Sequence, residues 1–447
     1  MKYSDFKEAE AYCLAQVDSK LNNRTNNQKN ILARAKYFFK LLGNPQDKFK
    51  IIHIAGTSGK TSTAYYLYHL LLGHQFKTGL TVSPHVVDIR ERIQLEGGLV
   101  AKEKFSKAVD FIKPSVEKMK STKYGKISYF ETVLGAAFHI FAQEKLDYVV
   151  VEAGIGGKFD ATNSTRQQKL CVITKIGKDH TNRLGETLPE IASHKAGIIG
   201  EEDVVLTTGQ KKEVLKVIQK EVEKKNAKLT IVKSQNIKKI KLSKKGTRFD
   251  FSHNDVSFPN LKLKTGAKYQ IENANLALSS FMTLSKRDEF ALDESNIRNA
   301  MKSLEIPGRF QISSYKDRDI ILDAAHNPQK MKALVESLKA LFPNEKFVFI
   351  LPFKTASEKY LEMVALLKDI AQTLIVTRIF TAEEKVKYLE LNSEMIEKRF
   401  SGIGINEYRL AKNANEAVGI ALKTSKEYKI VATGSLFIAS EILKIIQ

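Results

Sequence analysis

The chain has 447 residues, 43% hydrophobic and 27% charged, a globular composition too long for one ordinary core, so two or three domains are expected. Its net charge of +22 favours anionic partners. The excess is spread along the chain, as in Lys238–Gly246, without interleaved aromatic residues, which argues against nucleic acid. Two cysteines, Cys13 and Cys171, no apolar leader behind the charged N-terminus and no bilayer-length apolar run predict a cytoplasmic protein with neither disulfides nor membrane association.

The first predicted strand is Lys48–Ile54, KFKIIHI, followed by GTSGKTS and a helical pattern over Thr61–Leu72. Glycines at a strand-to-helix turn let the backbone approach a phosphate, and the first helical N–H groups attract an anion. Gly56, Thr57, Ser58 and Gly59 thus read as a phosphate loop, with Lys60 reaching the terminal phosphates and Thr61 or Ser62 offering a hydroxyl to Mg²⁺. The commonest phosphate loop spaces its glycines further apart, so a plain structural turn is the competing reading.

Strand candidates at Ile51, Asp147, Leu170 and Asp203 alternate with helical stretches, which predicts a parallel sheet with crossover helices. A helix is expected over Glu131–Phe141. Residues from about Leu229 to Leu263, with KIKLS, TRFDFS and VSFPNLKL, predict a small antiparallel patch, and helices follow over Gln270–Leu284 and Glu294–Leu304. Ile306-Pro307-Gly308 reads as a linker. The domains expected are therefore 1–305, the part with the phosphate loop, and 306–447, a smaller α/β domain with strands at Asp319, Lys346, Thr373 and Lys429.

In open parallel sheets ligands bind beyond the carboxyl ends of the strands. Glu152, the pair Asp179 and His180, and the pair Asp323 and His326 all follow predicted strands. Each alone is as easily a turn cap; together with a phosphate loop they suggest a site. Glu152 suits Mg²⁺, a hard ion that prefers oxygen. Imidazole suits softer metals, so spacing leaves His180 as a general base or a supporting group.

The motifs resemble those of the folylpolyglutamate and dihydrofolate synthases, a branch of the Mur ligase superfamily. The resemblance runs through GTSGKTS, SPHVVDIRERI from Ser83, SYFE from Ser128, EAGIGGKFDATN from Glu152, ITKIGKDHTNRLGETLPEIASHKAGII from Ile173, YQIENANLAL from Tyr269, PGRFQ from Pro307, LDAAHNP from Leu322 and ATGSLF from Ala432. It implies a central Mur-type P-loop domain followed by a Rossmann-like one, and an ATP-dependent ligase that joins L-glutamate to a folate or dihydropteroate carboxylate through an acyl phosphate. By this resemblance Gly56 to Ser62, Asn273, Arg309 and Asp323 hold ATP. Ser83, Glu152 and His180 bind one or two Mg²⁺, and Lys195 is a lysine that is often carbamylated. Tyr129, Phe130, Asp160, His326 and Ser435 face substrates, with Glu131 the acid of the folate-site aromatic-acid pair and His326 a candidate base for the glutamate amine. Closure of the domains about Pro307–Arg309 is also expected, in a monomer.

Departures from the family pattern are Ser58 for asparagine, Thr61 for glycine, Lys158 for arginine, His194 for glutamate, Tyr269 for histidine and Ala324 for glycine. PFKTASEKY from Pro352 lacks the usual lysine-aspartate pair. These changes leave a Mur ligase with another acceptor, such as a cell-wall precursor, as the alternative. A nucleotide switch is disfavoured, because Thr174-Lys175-Ile176 is followed by Gly177 rather than an aspartate.

Overall fold

A computed structural model describes residues 5–17, 28–165, 167, 169–353, 358–378, 393–405, 407–424 and 426–447. Lys354–Ser357 of the PFKTASEKY stretch lie outside these, so the departure read there has no structural description. The chain forms two compact units. One comprises Met1–Lys238, Asp250–Leu261 and Glu272–Leu304; the other comprises Lys239–Phe249, Lys262–Ile271 and Glu305–Gln447. Against the single cut expected at 305/306, two short segments from the antiparallel region go with the second unit.

The first unit is built on β1 (Lys50–Ala55), β2 (Thr78–Thr81), β3 (Gln94–Leu95), β4 (Gly98–Leu99), β5 (Tyr148–Glu152), β6 (Leu170–Ile173), β7 (Val204–Thr207) and β8 (Lys228–Ile231). Their order across the sheet is β4-β3-β2-β5-β1-β6-β7-β8, parallel from β2 to β8 with an antiparallel edge. Central strands read as unbroken apolar runs because both faces are covered: every residue of β5 and β6 is buried, and all of β1 except Lys50. The helix Lys60–Gly73 is buried on nearly all sides, which its continuous apolar composition requires. By contrast, the helix Lys212–Lys224 buries only Val214, Ile218 and Val222, one stripe at helical spacing. Leu229 was expected in the antiparallel patch, but β8 pairs in parallel with β7, since its short run fits the sheet edge as well as a hairpin.

The antiparallel patch is β9 (Ile237–Ser243), β10 (Gly246–His253) and β11 (Val256–Leu263), in the order β11-β10-β9. Two-residue turns at Lys244-Lys245 and Asn254-Asp255 force the antiparallel arrangement. The second unit carries β12 (Arg309–Tyr315), β13 (Arg318–Asp323), β14 (Phe347–Pro352), β15 (Ala371–Thr377), β16 (Tyr408–Ala411) and β17 (Lys429–Ala432), ordered β12-β13-β17-β14-β15-β16. Only the β12–β13 pair is antiparallel.

Two carboxylates, one buried and one half-buried, fix helix positions in the first unit. Glu131 caps the helix Tyr129–Gln143, accepting from Ser128 N and Oγ, while Arg34 donates to both its oxygens at 2.9 and 2.7 Å. The expectation that Glu131 serves the folate site is corrected by this geometry: the carboxylate is fully buried and spent on Arg34 and the cap. At the far end of the helix Tyr269–Asp288, Asp288 accepts from Tyr148 Oη (2.5 Å), Arg287 Nε (2.7 Å) and Lys50 Nζ (3.1 Å).

Burial alone would raise the Asp288 pKa, but the donors from Arg287, Tyr148 and Lys50 outweigh it and hold the carboxyl at about 2. A depressed folded-state pKa stabilises above the ordinary carboxylate range and loses that contribution as pH falls toward about 2. Asp288→Asn is therefore expected to lower the thermal midpoint at neutral pH, with the gap to wild type narrowing steadily below about pH 4. Calorimetric scans across that range check it, and a gap constant with pH would contradict the assignment.

Candidate active site

The carboxyl ends of β2, β5, β1 and β6 are adjacent, and the chain leaves β1 into GTSGKTS. The loop is shaped by β6: Thr57 N and Ser58 N both donate to Lys175 O, at 3.0 and 3.1 Å, and Thr57 Oγ1 is bonded to Gly177. Lys195 is buried, and its Nζ donates to Gly56 O at 2.7 Å. Gly59 caps the helix Lys60–Gly73 at φ 92°, and no side chain caps it, which leaves the helix start arranged for an anion. A Cβ on Gly59 would stand 2.2 Å from Asn273 Oδ1, so Asn273 closes over the loop where only glycine fits. Gly56 is as constrained, with φ 148° and Thr174 Oγ1 1.9 Å from an added Cβ.

Glu152 ends β5 with 3% exposure. Thr61 Oγ1 lies 3.0 Å from each of its oxygens, Ser83 N donates at 3.4 Å, and Lys60 Nζ stands at 3.9 Å. Lys60, Thr61, Ser83 and Glu152 therefore meet, as the motif reading requires. Ser62 is buried in the first turn of the helix. The hydroxyl of Thr61, where the family pattern has glycine, lies on the carboxylate itself. His180 follows β6 in a left-handed backbone conformation and is exposed, with its N–H on Asp179 Oδ1. Among the described residues no three His, Cys, Asp or Glu side chains gather as a metal cage. The oxygen donors around Glu152 nevertheless fit Mg²⁺, which takes one or two carboxylates and fills its shell with water and phosphate.

Tyr129 is buried with the Arg92 guanidinium 5.1 Å over its ring, and Arg92 Nε donates to His85 Nδ1 at 2.9 Å. Phe130 is half-buried against the Gly154 backbone. Asp160 does not point outward. Its oxygens accept from Thr162 N, Thr162 Oγ1, Ile155 N and Gly154 N.

In the second unit, Asp323 Oδ2 accepts from Tyr269 Oη (2.5 Å) and Phe310 N (3.0 Å), and Oδ1 from Ala325 N (2.9 Å). Burial pushes its pKa up, while Tyr269, Arg309 and the backbone donors oppose that shift. Phe310 is held at φ 53°, a conformation that costs a non-glycine residue about 1 kcal/mol or more. His326 is exposed; its Nδ1 lies 2.8 Å from Ala324 O and its Nε2 3.0 Å from Lys330 Nζ. A carbonyl accepts and an ammonium donates, so the ring carries its proton on Nδ1 and a lone pair on Nε2. Ser435 is a buried cap of the helix Leu436–Ile446, accepting from Phe437 N; the preceding Gly434 N bonds to Ala325 O, next to His326. The Tyr269–Asp323 pair joins two separate motifs, and the Arg92–His85 pair lies within SPHVVDIRERI, where the spacing does not reveal that the two side chains meet.

A phosphate loop beside a buried carboxylate, in a chain with a second α/β unit, marks a nucleotide-binding protein. Residues 54–281 match the Mur ligase middle domain and residues 308–436 the Mur ligase glutamate ligase domain. The dihydrofolate synthase/folylpolyglutamate synthase of Bacillus subtilis is 30% identical over 418 residues, covering 92% of this chain and 94% of that protein. The folylpolyglutamate synthase of Lacticaseibacillus casei is 28% identical over 90% of this chain and 91% of its own length. Among solved structures, the ADP complex of Mycobacterium tuberculosis folylpolyglutamate synthase superposes with a TM-score of 0.85 at 26% identity, covering 98% and 99% of the two chains. An FPGS–AMPPCP–folate complex gives 0.83 at 27% identity over 99% of both. The chain belongs to the folylpolyglutamate synthase/dihydrofolate synthase family of Mur ligases, and it is an ATP-dependent amide ligase.

Gly59→Ala is expected to weaken nucleotide binding at least about tenfold, through the left-handed backbone and the clash with Asn273. Gly98→Ala, where a Cβ meets nothing within 4 Å, should leave it unchanged. Titration calorimetry with a non-hydrolysable ATP analogue checks both.

Proposed function

We propose that this chain adds L-glutamate to the carboxylate of a folate-type acceptor, a reduced folate, its polyglutamates or dihydropteroate. The observation that carries this reading is the meeting of Lys60 with Glu152 in a chain that parallels the Bacillus enzyme over nearly its whole length. The same likeness favours a pteridine acceptor over a cell-wall precursor.

A carboxylate resists attack by an amine because it is anionic. Its oxygen first attacks the γ-phosphorus of ATP, giving an acyl phosphate and ADP. The glutamate amine then attacks the acyl carbon, and inorganic phosphate leaves as the amide forms. Negative charge concentrates at the γ-phosphate in the first step, and catalysis is mainly positioning and electrostatic stabilisation. Lys60 and the start of its helix stabilise that charge, with Thr57 and Ser58 fixing the loop and Asn273 closing over it; in the second unit Arg309 is the residue proposed to contact the nucleotide. Asp323 acts through Arg309 by holding the backbone of Phe310. Glu152 and Ser83, with His180, would hold Mg²⁺, which when bound supplies further positive charge at the phosphates. Lys195 pins the loop through Gly56; carbamylation would convert it to an anionic ligand for a second ion, and intact mass measurement tests that. Tyr129 and Phe130 are the acceptor-ring residues. The attacking amine must be neutral, and His326 Nε2 is the lone pair that takes its proton once Lys330 gives it up.

With Mg·ATP, labelled glutamate and a panel of pteridine acceptors, ADP release should depend on the acceptor; release indifferent to it would count against the folate reading. Lys60→Met should lower kcat by about 10² to 10³. For His326→Ala, amide formation should fall by about 10² while nucleotide affinity stays within about twofold. Equal losses in the two would remove His326 from the proton-transfer role.

A further inference from the structure

One residue in the apolar run of β1 has no part in the reaction as described. His53 is fully buried, level with Val151 of β5 and Cys171 of β6. An imidazole there costs desolvation that an isoleucine, as at positions 52 and 54, would not. Its Nε2 lies 2.9 Å from Thr162 Oγ1. That hydroxyl has a single proton and sits 2.6 Å from Asp160 Oδ1. Burial pushes the Asp160 pKa up, but its two oxygens face the N–H groups of Thr162, Ile155 and Gly154, which oppose that shift, so the carboxylate accepts and the hydroxyl donates to it. Thr162 Oγ1 therefore accepts from His53, which fixes His53 as the neutral Nε2–H tautomer. Its Nδ1 has no hydrogen-bond partner among the described residues. Burial, and then the nearby Lys169, oppose a second proton on the ring.

The chain of donors runs from His53 to Thr162, from Thr162 to Asp160, and meets at Asp160 the N–H groups of Gly154 and Ile155. The same stretch of backbone is the surface on which Phe130 rests: a Cβ on Gly154 would stand 3.1 Å from both the Phe130 ring and Asp160 Oδ2. We infer that His53 is a positioning residue for the acceptor: through Thr162 and Asp160 it sets the Gly154–Gly157 loop against Phe130. This assignment rests on the acceptor role proposed for Phe130, and two of its readouts are independent of that role.

Four variants test it: His53→Leu, His53→Gln, Thr162→Val and the double variant H53L/T162V. The Gln amide reaches about as far as imidazole Nε2 and restores a donor. Breaking the chain at His53 or Thr162 should raise the acceptor KM about tenfold, with the ATP KM within about twofold. H53Q should recover most of the loss, and the double variant should be no worse than the worse single one, because both cut the same chain. H53Q as impaired as H53L, an ATP KM rising in parallel, or additive losses would each overturn the proposal. If H53L does not fold, T162V against H53Q carries the comparison. In the wild-type protein, the imidazole ¹⁵N–¹H spectrum should show His53 protonated on Nε2 alone at pH 7; an Nδ1–H tautomer or an imidazolium overturns the assignment. Hydrogen exchange at the Ile155 amide should accelerate in T162V, and unchanged exchange counts against it. Should no pteridine acceptor support turnover while spectrum and exchange behave as stated, the acceptor reading falls and the loop-setting role of His53 stands.

Discussion

A carboxylate buried at the end of a central parallel strand is the constraint around which the first unit is organised. A carboxyl group at 3% exposure, as at Glu152, needs hydrogen-bond donors or cations around it. The sheet supplies them from its neighbours: Lys60 and Thr61 from the helix after β1, and Ser83 N from the segment after β2. The strand order β2-β5-β1-β6 is what brings these donors to one carboxylate: each comes from the carboxyl end of a strand adjacent to β5.

Two of the departures from the family pattern place a donor on a buried acid. Thr61 brings a hydroxyl in place of a glycine hydrogen, and the hydroxyl lies on Glu152. Tyr269, where a histidine is usual, still donates to a buried acid, Asp323. The first change adds a donor that glycine lacks, and the second supplies one from a phenol, so neither leaves a buried acid short of a partner.

Much of this was legible in the sequence for a physical reason. Glycines at left-handed or crowded positions, a lysine after them and an acid at a strand end are demanded by local geometry, so GTSGKTS and Glu152 announce themselves. Parallel strands such as DYVVV and LCVIT are equally plain, since both faces are buried. Side-chain direction is what a motif does not encode. Glu131 and Asp160 sit in stretches that resemble substrate-binding motifs, yet both carboxylates turn inward, one to Arg34 and one to its own loop. β8 joined the large sheet because a four-residue edge strand carries no signal distinguishing a parallel from an antiparallel neighbour. His53 was invisible for a related reason: a single polar residue in an apolar strand declares its purpose only through a partner more than a hundred residues away.

Glu152 and Asp323 make the deeper comparison, because each is a buried acid at the end of a strand in its own unit. Their donors differ in kind. Glu152 is surrounded by a lysine at the edge of ion-pair range, a rotatable hydroxyl and one long backbone contact, all of which exchange readily for an incoming cation or phosphate. Asp323 is gripped by a tyrosine hydroxyl and two backbone N–H groups at 3.0 Å or less, one of which holds Phe310 in a left-handed conformation. Exchange there would release the backbone beside Arg309 along with the hydrogen bond. The first acid is therefore held mainly by side chains that can move and the second mainly by backbone that cannot, although both read alike as an aspartate or glutamate after an apolar run.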